Sequence, residues 1–108
     1  MKILKFLLIV FVLSIFNNII TLADEAKMKK GLEIFNETAA CAACHILKAA
    51  GSQGNIGPNL DTVSMTIESV VDMVTNGLGV MPAFGEGDML TKEEIETVSY
   101  FVVNSVKG

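Results

Sequence analysis

Residues Cys41-Ala42-Ala43-Cys44-His45 read CAACH, and the reading of these five positions decides the fold. On a helical turn, positions i and i+3 share a face and i+4 lies beside them, so Cys41, Cys44 and His45 point to one side together. That spacing lets two thiols add across the two vinyl groups of a haem while the imidazole coordinates the iron, which is the pattern of c-type haem attachment. A zinc site would need four ligands of Cys or His type, and the chain has one His and two Cys in all. Thioredoxin-like chemistry needs a strand before the motif, and none is readable. A small disulfide across Cys41 and Cys44 is the remaining alternative, but it would close too short a loop to constrain much of the unfolded chain.

Upstream, Lys2 and Lys5 precede an apolar run, Phe6 to Phe16 (FLLIVFVLSIF), followed by Asn17-Asn18, then IITLA and the charged stretch DEAKMKK. A basic start, a short apolar core and a small-x-small ending at Thr21 and Ala23 are the parts of a secretory signal peptide. Cleavage is expected after Ala23, giving a signal segment 1–23 and a domain 24–108. The alternative is an uncleaved anchor. A span of about 20 residues, Ile3 to Leu22, would have to bury Lys5 and two asparagines. Removing 23 of 108 residues leaves 85, with six Lys against twelve acidic residues, a balance of −6. So small a chain struggles to bury enough apolar surface alone and usually needs a disulfide, a metal or a cofactor. Its acidity disfavours nucleic acid and anionic lipid as partners and suits a partner with a basic docking patch.

Downstream, the pattern is helical. A first helix is expected from about Asp24 to Asn36, and a short turn around Cys41 to Leu47. The loop Gly51 to Asn59 (GSQGNIGPN) reads as too polar for the core. A third helix should start at Thr66 as N-cap, carry Ile67, Val70, Val71 and Val74 at spacings of three and four, and stop at Asn76-Gly77. The last begins at Thr91, where TKEE forms a capping box, with Ile95, Val98, Phe101, Val102 and Val106 as its apolar stripe. The domain is therefore expected to be all-α. Between the last two helices, Gly77 to Met89 (GLGVMPAFGEGDM) is apolar in the middle and cannot be helical through Pro82, as expected of a loop that packs on something.

Iron held by one histidine has an open position, and a thioether there gives a low-spin, higher-potential electron-transfer centre. Met28 lies before the attachment motif. Met65 follows the Pro58 loop too closely to reach the opposite haem face, Met73 is off its helix's apolar face, and Met89 is flanked by Asp88 and a helix start. Met81 alone is held in an apolar loop, with Pro82 fixing the backbone after it.

With these pieces in order, GLEIF (31–35) before CAACH, GPNL (57–60) after it, NGLGVMPAF (76–84) and LTKEEIETVSYFV (90–102), the chain resembles a class I monohaem cytochrome c over essentially all of residues 24–108. The resemblance implies about four short helices packed round one covalently bound haem c. Cys41 and Cys44 would carry the thioethers, with His45 the proximal and Met81 the distal iron ligand. The Pro58 carbonyl would accept a hydrogen bond from the other ring nitrogen of His45. Gly31 would let the first and last helices cross against Phe35 and an aromatic of the last helix, either Tyr100 or Phe101. The MPAF loop resembles the algal and bacterial shuttles that substitute for plastocyanin, whereas GPNL is similar to respiratory cytochromes. The chain has no Trp and no Arg, residues that relatives use around the haem propionates.

The expected function is one-electron transport between redox proteins, in the periplasm or another extracytoplasmic compartment. No enzymatic step, small-molecule substrate or nucleic-acid partner is expected, and contact with a membrane would come only through a partner complex or an uncleaved N-terminus. A labile Met81 would instead favour peroxide or ligand chemistry, and a haem-free chain would leave a thiol redox protein.

Overall fold

The computed structural model describes residues 1–106. Three α-helices dominate: α1 (Lys2–Glu33), α2 (Ile67–Asn76) and α3 (Lys92–Val106). Between α1 and α2 the chain makes a π-helical turn (Ile34–Thr38), short 3₁₀ turns and a two-stranded antiparallel hairpin, β1 (Ile46–Leu47) and β2 (Ser52–Gln53).

Helix α1 begins at Lys2, not near Asp24. No proline precedes Pro58 and no glycine precedes Gly31, so nothing local breaks the helix at Ala23. Among the described residues it is one helix long and apolar enough to cross a membrane, a test that a signal sequence near the N-terminus also passes. Its first residue buried against the rest of the chain is Gly31.

At Gly31, α1 and α3 cross. A Cβ there would lie 2.3 Å from Phe101 Cβ and 3.0 Å from the Thr97 carbonyl oxygen, so only glycine lets the two backbones approach this closely. One turn on, Phe35 and Phe101 meet edge to face, with ring centroids 5.9 Å apart. Phe101, 3% exposed, is therefore the inward aromatic. Tyr100 points elsewhere, its hydroxyl 3.4 Å from an Asp24 carboxylate oxygen and its ring beneath the Lys27 ammonium.

Around this crossing lie Ile34, Leu47, Val70, Val74, Phe84, Ile95, Val98 and Val102, all buried. Each such side chain contributes about 1.5–3 kcal/mol by leaving water. Of the α3 stripe, only Val106 is partly exposed.

Both predicted caps are present. Thr91 Oγ1 accepts from Glu94 N–H at 3.1 Å while the Glu94 carboxylate accepts from Thr91 N–H at 2.8 Å. Thr66 caps α2, and its reciprocal partner is Ser69. Replacing Thr91 with alanine is expected to cost about 1 kcal/mol, read as a lowered unfolding midpoint of the haem-loaded protein.

Two local expectations need correction. The turn at Cys41 is 3₁₀ for only three residues and leads into β1, so the chain is all-α apart from the hairpin. The 51–59 loop also reaches the core, because Ser52 is 8% exposed. Its hydroxyl accepts from Leu47 N–H at 2.9 Å and contacts the Leu47 carbonyl at 3.3 Å, which satisfies the buried oxygen.

Candidate haem site

The chain enters the site through Ala40, a non-glycine residue held in the left-handed region at φ 52°. This reversal takes it off the π-helical turn and into Cys41–Ala43. Cys44 N–H and His45 N–H both donate to the Cys41 carbonyl, at 3.1 and 2.9 Å. The five-residue motif is thus closed on itself, with Cys41, Cys44 and His45 on one turn and all half-buried. Both cysteines are free thiols. Burial, reinforced by Cys44 beside it, pushes the Cys41 thiol up to about 11. A disulfide-exchange cysteine needs its thiolate favoured, so this environment opposes the thiol redox alternative.

His45 Nδ1 lies 2.8 Å from the Pro58 carbonyl oxygen. A carbonyl can only accept, so Nδ1 carries the proton and Nε2 keeps its lone pair for a metal. Two glycines press the same loop onto the motif. A Cβ on Gly57 would stand 2.4 Å from His45 Cε1, and one on Gly54 would stand 2.5 Å from the Ala43 carbonyl group. Gly57 N–H donates to the Cys44 carbonyl at 2.8 Å, and the Asp61 carboxylate accepts from Lys48 N–H at 3.0 Å. The motif and the 54–61 loop are therefore one braced unit.

Gly54 and Gly57 carry no side-chain group and the Asp61 carboxylate stands in no recognisable motif, so residue chemistry alone does not reveal them. The threefold spacing of glycines in GSQGNIGPN was the available signal. Only Gly51 among those three has a positive φ, so the other two serve close approach.

Met81 is half-buried and packs against the core from the α2–α3 loop. Its backbone exchanges hydrogen bonds with Leu78, at 3.0 and 3.2 Å, and is not bonded to the His45 unit. The loop does pack as expected, through buried Phe84. Among the methionines after residue 23, Met73 and Met89 are the exposed ones, 48% and 49% accessible, as their contexts implied.

These residues fit a c-type haem: two free thiols three positions apart, an imidazole whose outer nitrogen is already engaged, and a glycine keeping that ring's flank bare. Among the described residues, no group of three or more His, Cys, Asp or Glu side chains converges to hold a metal ion, so a zinc-type site has no donor set.

Comparison with known proteins agrees. Residues 26–102 match the family described as cytochrome c oxidase, cbb3-type, subunit III. Cytochrome c6 of the red alga Gracilaria tenuistipitata is 36% identical over 98 residues, which cover 83% of each chain. The chloroplastic cytochrome c6 of Chlamydomonas reinhardtii is 33% identical over 74% of this chain, which spans 55% of that protein's length. The crystal structure of the c-type cytochrome SorU from Sinorhizobium meliloti superposes with a TM-score of 0.69 at 44% identity, covering 76% of this chain and 93% of that one.

Proposed function

Because the chain belongs to the class I cytochrome c family, with one covalently bound haem c, we propose that it shuttles single electrons between redox proteins outside the cytoplasm. Residues 1–23 direct export and are removed after Ala23. Cys41 and Cys44 would carry the thioethers, and His45 and Met81 would hold the iron. The observation that carries this reading is the braced CAACH unit, in which Pro58 fixes the His45 tautomer at 2.8 Å and frees Nε2.

Haem held in this way supplies a one-electron couple. The chain's own residues do the rest. Pro58 orients the ring and raises its basicity, Gly57 leaves the ring's flank clear, and Met81, held against the core, would be the second residue to hold the iron. With His45 and Met81 both committed to the iron, the group would supply electron transfer without binding a substrate. Voltammetry of the haem-loaded protein tests this: a single reversible one-electron wave is expected, and catalytic current with peroxide would contradict it.

Glu86 and Asp88 are exposed beside the Met81 loop and steer a basic partner. Association should slow as salt rises, and replacing both by their amides should slow it by up to about tenfold at low ionic strength. A rate indifferent to salt would remove these two residues from docking.

A further inference from the structure

Gly77 has φ 71° and ψ 172°, a backbone region that glycine alone adopts without strain. It lies at the end of α2, where its N–H caps the helix by donating to the Met73 carbonyl at 2.8 Å. From there the chain doubles back over itself. A Cβ on Gly77 would stand 2.6 Å from the Met81 carbonyl oxygen and 2.9 Å from both Ala83 N and the Pro82 carbonyl carbon. Every one of those neighbours is backbone, so none can swing aside.

The returning segment is tied at both ends. Leu78 and Met81 exchange two backbone hydrogen bonds across Gly79 and Val80. Phe84 N–H then donates to the Val74 carbonyl at 2.9 Å, and Gly85 N–H to the Thr75 carbonyl at 3.1 Å. Leu78 and Val80 are 68% and 89% exposed, so side-chain packing holds neither of them in place. Met81's side chain packs on the core, its backbone is set by the clasp, and the clasp requires the conformation of Gly77.

The geometry points to Gly77 as the positioning residue for Met81: its glycine-only backbone and bare Cα let the 78–83 segment fold against it, and this clasp keeps the methionine's axial position closed. The inference rests on the ligation by Met81 proposed above. Gly79 provides the internal control. Its φ of 59° is also positive, but nothing lies within 4 Å of where its Cβ would be. Alanine at Gly79 brings the dihedral strain without the collision.

The experiment compares haem-loaded wild type with Gly77→Ala, Gly79→Ala and Met81→Ala. The readouts are the weak red-edge absorption band of the oxidised protein, the midpoint potential, and carbon monoxide binding to the reduced protein. Gly77→Ala is expected to raise the open fraction by roughly 5- to 150-fold, with faster carbon monoxide binding, a weakened band and a lowered potential. Gly79→Ala should stay near wild type. A Gly77→Ala protein with wild-type band and inertness to carbon monoxide overturns the inference, as does equal opening by Gly79→Ala. Persistence of the band in Met81→Ala would instead overturn the ligation by Met81. Should Gly77→Ala fail to accumulate, one glycine inserted between Gly79 and Val80 breaks the Leu78–Met81 register at an exposed tip. Opening there supports the clasp, and wild-type behaviour overturns it.

Discussion

A chain carrying serine at both Cys41 and Cys44 is expected to leave maturation without covalent haem. After denaturing electrophoresis, wild type should show one haem staining with the polypeptide and the double variant none. Serine is close in size to cysteine, so the loss cannot be assigned to crowding in the half-buried turn. The chemistry lost is the thiol, the only group there that can add across a vinyl. The effect should extend to folding. A domain of this size buries too small a share of its surface to be robust alone, and the covalent link keeps the cofactor at high effective concentration beside the core. The double variant should therefore be recovered poorly and unfold with little cooperativity. Haem retained covalently in it would mean that other residues make the attachment.

Gly31→Val should be the most damaging single change away from the cofactor. Even the first carbon of the new side chain would sit 2.3 Å from Phe101 Cβ, and the Thr97 carbonyl at 3.0 Å blocks the other way out. Overpacking of this kind costs typically 1–3 kcal/mol and occasionally more. Here the obstacles are a Cβ fixed directly to the α3 backbone and a backbone carbonyl, neither free to rotate away, which places the expected cost near the top of that range, at about 3 kcal/mol. Against a total stability on the order of 5–15 kcal/mol, this should lower the unfolding midpoint by roughly 15 °C. Coupling identifies the cause: Phe101→Gly in the Gly31→Val background should cost less than Phe101→Gly alone, because glycine removes the Cβ that the new side chain meets. Strict additivity would contradict the close crossing.

How much of this was legible in the sequence depended on the kind of signal. Helix α3 was readable because Thr91 and Glu94 announce its start and Ile95, Val98, Phe101 and Val102 repeat at helical spacing. The same holds for α2 from Thr66, although its reciprocal cap is Ser69, a residue outside the usual Glu or Gln pattern. Which of Tyr100 and Phe101 faces inward was ambiguous by register, and the structure decides it through the contact of Phe101 with Phe35. The hairpin was invisible because two-residue strands have no periodicity to read. The burial of Ser52 was hidden because its hydroxyl is satisfied by the Leu47 backbone, a pairing that composition does not encode. The reversal at Ala40 went against local preference, since a left-handed conformation is costly for alanine. At the site, the reactive groups were legible from CAACH and the Pro58 contact from the family resemblance, but the close-approach role of the bracing glycines was not. Gly54, Gly57 and Gly77 act by leaving space, and a missing side chain gives a sequence reading little to hold.

The central claim, one haem attached through Cys41 and Cys44 with His45 and Met81 on its iron, is tested most directly by the visible spectrum of the exported protein, oxidised and reduced. A sharp ferrous α band together with the weak red-edge band of an iron–thioether bond in the oxidised form is the predicted result. A haem spectrum without that red-edge band would contradict ligation by Met81, and a colourless protein would contradict the assignment altogether.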